Sequence, residues 1–220
     1  MKEKFKDLTI EEKEEKFNGL INYANKIKNK SLRNVCINIL NDFKEELSCR
    51  GAGHDGIEKF KYNRRHQCFD GGLLDHLLNV TKISYNIALT YEKDVDIDLI
   101  LFGAILHDLG KIKIFDKYDK DNEIHSNLNY NYLLVDHVYI GERIVEEYLS
   151  KEDISDKLKY QALHIIATHM DTLDKHMAEA YIVSYADEID AYIENIISYP
   201  RNSINPLFNT YFYESDNSDK

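Results

Sequence analysis

The sequence predicts an all-α fold, and two observations lead to that prediction. Apolar residues recur at three- and four-residue spacing along most of the chain, whereas the alternation typical of strands is scarce. The only two prolines, Pro200 and Pro206, lie near the end, so long helices can form almost everywhere upstream. With 220 residues, 43% of them apolar and 30% charged, the chain can bury one sizeable core, or one core with a helical extension.

Two amphipathic helices are predicted in the N-terminal part of the chain. Thr9 and Glu12 have capping-box spacing and place the first helix at residues 9–30, with its apolar side chains on one stripe. The second helix is predicted at residues 32–49, and a glycine-rich stretch follows it. Residues 1–58 are therefore interpreted as an N-terminal helical extension. It packs against the rest of the protein, mediates dimerisation or contacts a partner, because an apolar stripe cannot stay exposed.

Helical periodicity returns after a basic and aromatic connection. Residues 59–214 are predicted to form one domain, and residues 215–220 a frayed tail. Asp96 is expected to cap one helix of this domain at its start, and Gly110 to stop it. The predicted helices span residues 73–90, 96–109, about 130–149, 155–169 and 176–198.

Charge and composition exclude several kinds of partner. The net charge of −11 argues against broad binding to duplex DNA, whose affinity comes mostly from Lys and Arg neutralising phosphates. No stretch approaches the roughly 18 consecutive apolar residues that a membrane span requires. The charged N-terminus lacks the apolar segment of a signal peptide. The three cysteines form no C-x-x-C pair, which is typical of reduced thiols, so we expect a cytoplasmic protein.

A His-Asp pair ends the most apolar predicted helix. His107 and Asp108 follow the run LILFGAIL, which indicates a buried helix. A buried imidazole beside a buried carboxylate is costly unless both are satisfied, and a transition-metal ion would satisfy both. Seen alone, the pair is better explained as a helix C-terminus, where a histidine interacts favourably with the helix dipole and an aspartate starts a turn.

Other predicted helices also carry metal-compatible residues among apolar ones. One histidine among leucines is usually a core residue with a hydrogen-bond partner, but a soluble protein seldom buries many titratable groups without pairing them. One shared metal site accounts for all of them. His164 and His169 are about 140° apart around a helix, so we do not expect both to face one ion. Asp187 and Asp190 could share a helix face. The further candidates are His76, His137, His164, His169 and Asp187.

The order His … His-Asp … His … His … Asp resembles the HD superfamily of metal-dependent phosphohydrolases. More narrowly, GGLLDH, LILFGAILHDLGKI, DHVYIGERI, LHIIATH and SYADEIDA resemble the HD domain of the YhaM-type 3′–5′ exoribonucleases over about residues 60–214. The resemblance implies an HD-domain helical bundle. Those exonucleases carry an N-terminal OB-fold, whereas the first 60 residues here are predicted to be helical.

The resemblance also implies the ligands of two divalent transition-metal ions. Histidine and aspartate ligands suit Mn, Fe, Ni or Zn. Asp108 would bridge the two ions. The first ion would be held by His76, His107, Asp108 and Asp187, and the second by His137 and His169 together with Asp108.

Further residues near these motifs are candidates for catalysis and substrate binding. Lys111 would meet developing negative charge, and His66 would contact phosphate or protonate a leaving group. Lys111 is equally well explained as a helix cap. Arg64 and Arg65 are better explained as a solvated basic turn. The candidate catalytic residues are Asp108, Lys111 and His66. The candidate substrate-binding residues are Arg64, Arg65, His66, Lys111 and His164.

The predicted function is hydrolysis of a phosphoester by metal-activated water. The favoured substrate is a nucleotide or a short single-stranded nucleic acid, cleaved at a phosphodiester as in the exoribonucleases. One alternative is a nucleotide phosphatase or dinucleotide-polyphosphate hydrolase. An alternative of another class is a non-catalytic ligand-binding signalling module with a structural metal site. The sequence does not determine the oligomeric state, and a homo-oligomer is one of the alternatives.

Overall fold

The structure, a computed structural model, describes residues 7–53, 66–115, 134–170 and 174–198, with side chains up to residue 194. The regular elements in these ranges are helices, which confirms the all-α prediction. In chain order they are α1 (Ile10–Ala24), α2 (Lys30–Asp42), α3 (Lys44–Ser48), α4 (Gly72–Thr90), α5 (Ile97–Leu106), α6 (Lys111–Ile114), α7 (His137–Leu149), α8 (Asp156–Ala167) and α9 (Ala178–Ser198).

The N-terminal helices pack onto the same hydrophobic core as the rest of the described chain. Leu20 of α1 and Ile39 of α2 are fully buried in one cluster with residues of α4 and α5. The capping box at Thr9 is present and starts α1 as predicted. Of the roles foreseen for these helices, packing against the core is therefore confirmed. The predicted domain boundary after residue 58 lies outside the described residues.

A carboxylate at the start of α5 joins the N-terminal helices to the centre of the bundle. Asp98 Oδ1 accepts a hydrogen bond from the backbone N–H of Lys28 at 2.9 Å. Asp98 Oδ2 accepts one from the N–H of Asn29 at 2.7 Å. Because Asn29 is the N-cap of α2, this carboxylate fixes the point at which α2 begins.

Replacing Asp98 with alanine is expected to lower the free energy of unfolding by about 1–3 kcal/mol, because it removes two hydrogen bonds to a charged acceptor. Thermal unfolding followed by circular dichroism would show this as a lower Tm. Asp94→Ala is a matched control, since Asp94 is exposed on the loop before α5. A fall in Tm no larger than that of the control would contradict the role given to Asp98.

Helix α5 runs through the middle of the core. Every residue from Leu99 to Leu106 is buried, so no face of these two turns is left to solvent. It lies against α4, α8 and α9. A Cβ added at Gly103 would lie 2.3 Å from Cγ2 of Ile165, so glycine permits the close approach of α8. The residues that follow α5 therefore enter the interior of the bundle.

The predicted helix at residues 32–49 is wrong in one respect, because the chain is divided at Phe43 into α2 and α3. Phe43 has φ −110° and ψ 18°, outside the helical range. Asn41 and Asp42, which precede it, have low helix propensity. The ring of Phe43 lies 6.5 Å from that of Tyr148 on α7. Local propensity and this aromatic contact together account for the break.

The limits of the helices near the site also differ from prediction. α7 begins at His137, because the Asp136 side chain accepts a hydrogen bond from the N–H of Val138 and caps the helix. Residues 134–136 are therefore not helical as predicted, and the predicted start near residue 130 lies outside the described residues. α8 ends at Ala167, so His169 lies beyond the helix. Among the described residues no helix is both long and apolar enough to cross a bilayer. Cys36 and Cys68 are buried, and Cys49 is partly exposed.

Candidate metal centre

The six side chains predicted to bind metal converge at one place inside the bundle. All are buried except His137, which is partly exposed. They come from segments far apart in the sequence, and the packing of α4, α5, α7, α8 and α9 brings them together. In chain order they are His76 on α4, His107 and Asp108 after α5, His137 at the start of α7, His169 after α8 and Asp187 on α9.

These side chains form two groups. In each group, the ligand atoms lie within 4.8 Å of one another. Among the described residues Asp108 is the only member of both. The first group contains His76, His107, Asp108 and Asp187, and the second contains Asp108, His137 and His169.

The two oxygens of Asp108 divide between the two groups. Oδ2 lies 3.2 Å from Nε2 of His76 and 3.4 Å from Nε2 of His107. Oδ1 lies 3.2 Å from Nε2 of His137 and 3.5 Å from Nε2 of His169. A carboxylate with one oxygen facing each group is arranged to bridge two cations.

Two of the histidines are oriented by backbone carbonyls one helical turn earlier. Nδ1 of His107 donates to the carbonyl of Ala104 at 3.0 Å. Nδ1 of His169 donates to the carbonyl of Ile166 at 2.7 Å. A carbonyl oxygen only accepts, so the proton of the neutral ring lies on Nδ1 and the lone pair lies on Nε2.

The other two histidines are oriented by carboxylates. Nδ1 of His76 lies 2.7 Å from Oδ2 of Asp190, and Nδ1 of His137 lies 2.8 Å from Oδ1 of Asp136. Hydrogen bonds of this kind fix the tautomer and the ring plane of metal-binding histidines. As a result, the Nε2 atoms of all four histidines face the centre.

The centre places hydrogen-bond acceptors against one another, which a cation would relieve. Nε2 of His76 lies 3.4 Å from Nε2 of His107, with Nδ1 of both rings already engaged. Within the described part of the chain, Nε2 of His137 and Nε2 of His169 have no hydrogen-bond partner, and of the two Asp108 oxygens only Oδ2 contacts an ammonium, that of Lys111. Buried acceptors without partners are costly. Imidazole nitrogen and carboxylate oxygen are good ligands of divalent transition metals, so the donor set fits such an ion.

Electrostatic effects within the centre oppose the effect of burial. Burial lowers the pKa of His76, but hydrogen bonds to Asp108, Asp187 and Asp190 outweigh it and raise the pKa well above its usual value. Burial raises the pKa of Asp108, but the ammonium of Lys111 is the first of several neighbours that hold it well below the usual range. Without a metal ion, a proton on His76 and the ammonium of Lys111 therefore supply positive charge beside these carboxylates.

Two of the candidate catalytic residues lie beside these groups. The ammonium of Lys111 contacts Oδ2 of Asp108, and the residue is only 9% exposed, so its side chain is directed to the centre. The ring of His66 lies 4.9 Å from the ring of His76, between ring centroids. Both nitrogens of His66 are buried and receive no hydrogen bond from a described residue.

His164 lies in neither group. Its ring stacks on that of His176 at 5.7 Å between centroids, and its Nε2 accepts a hydrogen bond from the backbone N–H of His176 at 3.2 Å. His164 and His169 thus face different surroundings, although the helical angle between them does not apply, because α8 ends before His169. Arg64 and Arg65, the other substrate-binding candidates, lie outside the described residues.

Comparisons with known proteins agree with this geometry. The family model of the HD domain matches residues 73–192, a range that contains all six candidate ligands. The dihydroneopterin 2′,3′-cyclic phosphate phosphodiesterase of Methanocaldococcus jannaschii is 30% identical over 189 residues, which cover 80% of this chain and 70% of the relative. The chain belongs to the HD domain family. No solved structure matches it significantly.

Membership of the HD domain family confirms the predicted class of enzyme, a metal-dependent phosphohydrolase, and the relative is named as a phosphodiesterase. The narrower resemblance to YhaM-type exoribonucleases is not confirmed, because the matching relative is a phosphodiesterase of another kind.

Sequence reasoning missed the residues that orient the histidines of this HD domain. The sequence indicates for Asp190 only that it could share a face with Asp187, and it gives no indication that Asp136 orients a histidine. Gln67 lies in the aromatic connection before α4, where no periodic pattern singles it out. Its amide nevertheless donates to Asp190 at 2.7 Å. The spacing of Asp190 three residues after a candidate ligand was the one available signal.

Proposed function

We propose that this HD domain holds two divalent transition-metal ions, one in each group, and uses them to hydrolyse a phosphodiester. Mn, Fe, Ni and Zn all suit the donor set. The observation that carries the proposal is the carboxylate of Asp108, whose two oxygens face different pairs of histidines. The proposed ligands are His76, His107, Asp108 and Asp187 for the first ion, and Asp108, His137 and His169 for the second.

Two bound ions would lower the pKa of a water molecule and neutralise phosphoryl oxygens. In the overall reaction, water oxygen bonds to phosphorus and one P–O ester bond breaks. The water proton passes to the departing oxygen, which leaves a phosphomonoester and a hydroxyl group. Lys111, beside Asp108, brings a positive charge to the phosphoryl group as negative charge develops.

The role proposed for His66 is hydrogen bonding rather than proton donation. Burial lowers the pKa of His66 well below its usual value, and the charge of Lys111 lowers it further. The ring is therefore neutral near pH 7. A neutral imidazole with an unpartnered N–H can donate to a phosphate oxygen, but it is a poor acid for a leaving group.

The substrate we propose is a small nucleotide-like phosphodiester, with a cyclic phosphate as the first choice. The Methanocaldococcus jannaschii relative is named for action on a 2′,3′-cyclic phosphate, which supports this choice. A net charge of −11 is poorly suited to a long nucleic acid. Short single-stranded nucleic acid is the second candidate. Arg64, Arg65 and His164 are proposed substrate contacts in either case.

Four substrates separate these functions in the presence of Mn²⁺. We expect release of p-nitrophenol from bis-p-nitrophenyl phosphate, and ring opening of 2′,3′-cyclic AMP faster than shortening of a single-stranded RNA. Faster turnover of the monoester p-nitrophenyl phosphate would overturn the proposal in favour of a phosphatase. Release of mononucleotides from RNA without opening of the cyclic phosphate would favour an exoribonuclease. Bound metal without turnover of any substrate would favour the binding module.

Asp190→Asn is expected to weaken binding of the first ion by about 10- to 100-fold, because loss of a carboxylate behind a metal-binding histidine has effects of that size. Isothermal titration with Mn²⁺ measures the change. Asp94→Asn is the matched control, since it removes an exposed carboxylate. Equal affinity in both variants would contradict the orienting role of Asp190.

A further inference from the structure

We infer that Gln67 is a positioning residue of the metal centre, and that it acts on His76 through Asp190. The inference deepens the proposed function and rests on the two-ion site described above. Three observations carry it: the shared carboxylate oxygen, the backbone conformation of Gln67, and the state of its amide oxygen.

Asp190 connects Gln67 to His76 through a single atom. Its Oδ2 lies 2.7 Å from Nδ1 of His76 and 2.7 Å from Nε2 of Gln67. Asp190 is 5% exposed, and the other two residues are fully buried. Hydrogen bonds in such a low-dielectric setting reinforce one another. A carboxylate held by two donors therefore keeps its orientation more firmly than one held by the imidazole alone.

The orientation of His76 matters because its other nitrogen faces the centre. Nε2 of His76 lies 3.1 Å from Oδ1 of Asp187 and 3.2 Å from Oδ2 of Asp108. A rotation of the Asp190 carboxylate would turn the imidazole with it and move Nε2 away from these two partners. Gln67 opposes that rotation through its hydrogen bond to the same oxygen of Asp190.

The backbone of Gln67 is held in a strained conformation. With φ +41°, it is the only non-glycine residue with a positive φ in the described ranges. That conformation costs roughly 1–2 kcal/mol for an L-residue. The carbonyl of Gln67 accepts from the N–H of Ala52 at 3.1 Å, and a Cβ at Gly72 would lie 2.0 Å from it. Strain retained at a buried residue is typical of functional sites.

A purely space-filling role does not account for the amide. Oε1 of Gln67 is buried and has no hydrogen-bond partner among the described residues. An unsatisfied buried acceptor costs about 1–3 kcal/mol, and an apolar side chain of the same length would avoid that cost. The hydrogen bond from Nε2 of Gln67 to Asp190 therefore gives the amide a role that offsets the cost of its unsatisfied Oε1.

Gln67→Met tests the inference, because methionine keeps the length of the side chain and removes the donor. Titration of the ion-free protein with Co²⁺, followed by visible absorption, measures both affinity and coordination. We expect one of the two ions to bind about 10- to 100-fold more weakly, with altered absorption bands. The Tm of the ion-free protein should change no more than in Gln161→Met, the same substitution at a half-buried position of α8.

Two further variants distinguish a specific loss of metal binding from a general folding defect. Gln67→Asn tolerates the left-handed backbone, but its shorter side chain cannot reach Asp190, so we expect a folded protein with the same weakened Co²⁺ binding. In the Asp190→Asn background, Gln67→Met should cause little additional loss of Co²⁺ affinity, because both substitutions break the same series of contacts from Gln67 through Asp190 to His76. Fully additive losses would overturn the proposed route through Asp190.

The outcomes separate this inference from the site on which it rests. Wild-type Co²⁺ affinity and absorption in both single Gln67 variants would overturn the role of Gln67 and leave the two-ion site standing. A wild-type protein that binds no Co²⁺ would instead overturn the metal site itself.

Discussion

Asp108→Asn is expected to lower the rate of phosphodiester hydrolysis by about a thousandfold or more, because metal ions supply several kcal/mol of transition-state stabilisation and each 1.4 kcal/mol is tenfold in rate. Asparagine keeps the shape of the side chain but replaces one oxygen with an amide nitrogen that has no free lone pair. Since one oxygen of Asp108 faces each group, one group loses a ligand and both lose the negative charge.

The measurement combines initial rates with Mn²⁺ stoichiometry after dialysis. The same preparation should bind fewer ions than the wild-type protein, which links the lost rate to the centre. Asp94→Asn removes an exposed carboxylate and should retain both the rate and the ions. An Asp108→Asn protein that keeps two ions and its turnover would contradict the bridging role.

Gly110→Ala is expected to displace α7 and to remove the second ion. A Cβ at this position would lie 1.9 Å from the carbonyl oxygen of His137 and 2.8 Å from the backbone nitrogen of Gly141. Both are backbone atoms, so neither can rotate away. Gly110 has φ −61° and ψ −21°, which any residue adopts. The steric contact of the added Cβ, and not backbone strain, therefore causes the expected displacement of α7. Overpacking of this kind lowers the free energy of unfolding by about 1–3 kcal/mol. The displacement of α7 would also move His137 away from Asp108.

Metal content and thermal unfolding of the variant test this expectation. The predicted result is one bound ion in place of two and a lower Tm. Gly19→Ala is the matched control, because the added Cβ would meet only the flexible side chain of Leu78, at 3.0 Å. If Gly110→Ala keeps both ions and the wild-type Tm, the close approach of α7 is not what places His137.

The clustering of the candidate ligands could be predicted because the order of their motifs resembles the HD superfamily and each residue lies among apolar residues in a predicted helix or at its end. His76 and Asp187 are examples, since leucines surround the one and Ile, Val and Ala the other. The residues that orient the histidines gave no such signal. His76 and Asp190 are 114 positions apart, and Gln67 and Asp190 are 123 apart. Only the packing of α4 against α9 brings them together.

Helix limits were predicted less well than helix positions, because caps and tertiary contacts decide them. Asp96 caps α5 as its position suggested, since its side chain accepts from the backbone of the first turn. Phe43 interrupts the second predicted helix where its ring approaches Tyr148, a contact that no local pattern encodes. Asp136 starts α7 later than the apolar pattern suggested.

We propose that Asp108 lies between two metal ions. Anomalous diffraction from crystals of the Mn²⁺-loaded protein measures their positions directly. We expect two peaks about 3.5–4 Å apart, one beside His76 and His107 and the other beside His137 and His169. A single peak, or peaks remote from Asp108, would contradict it.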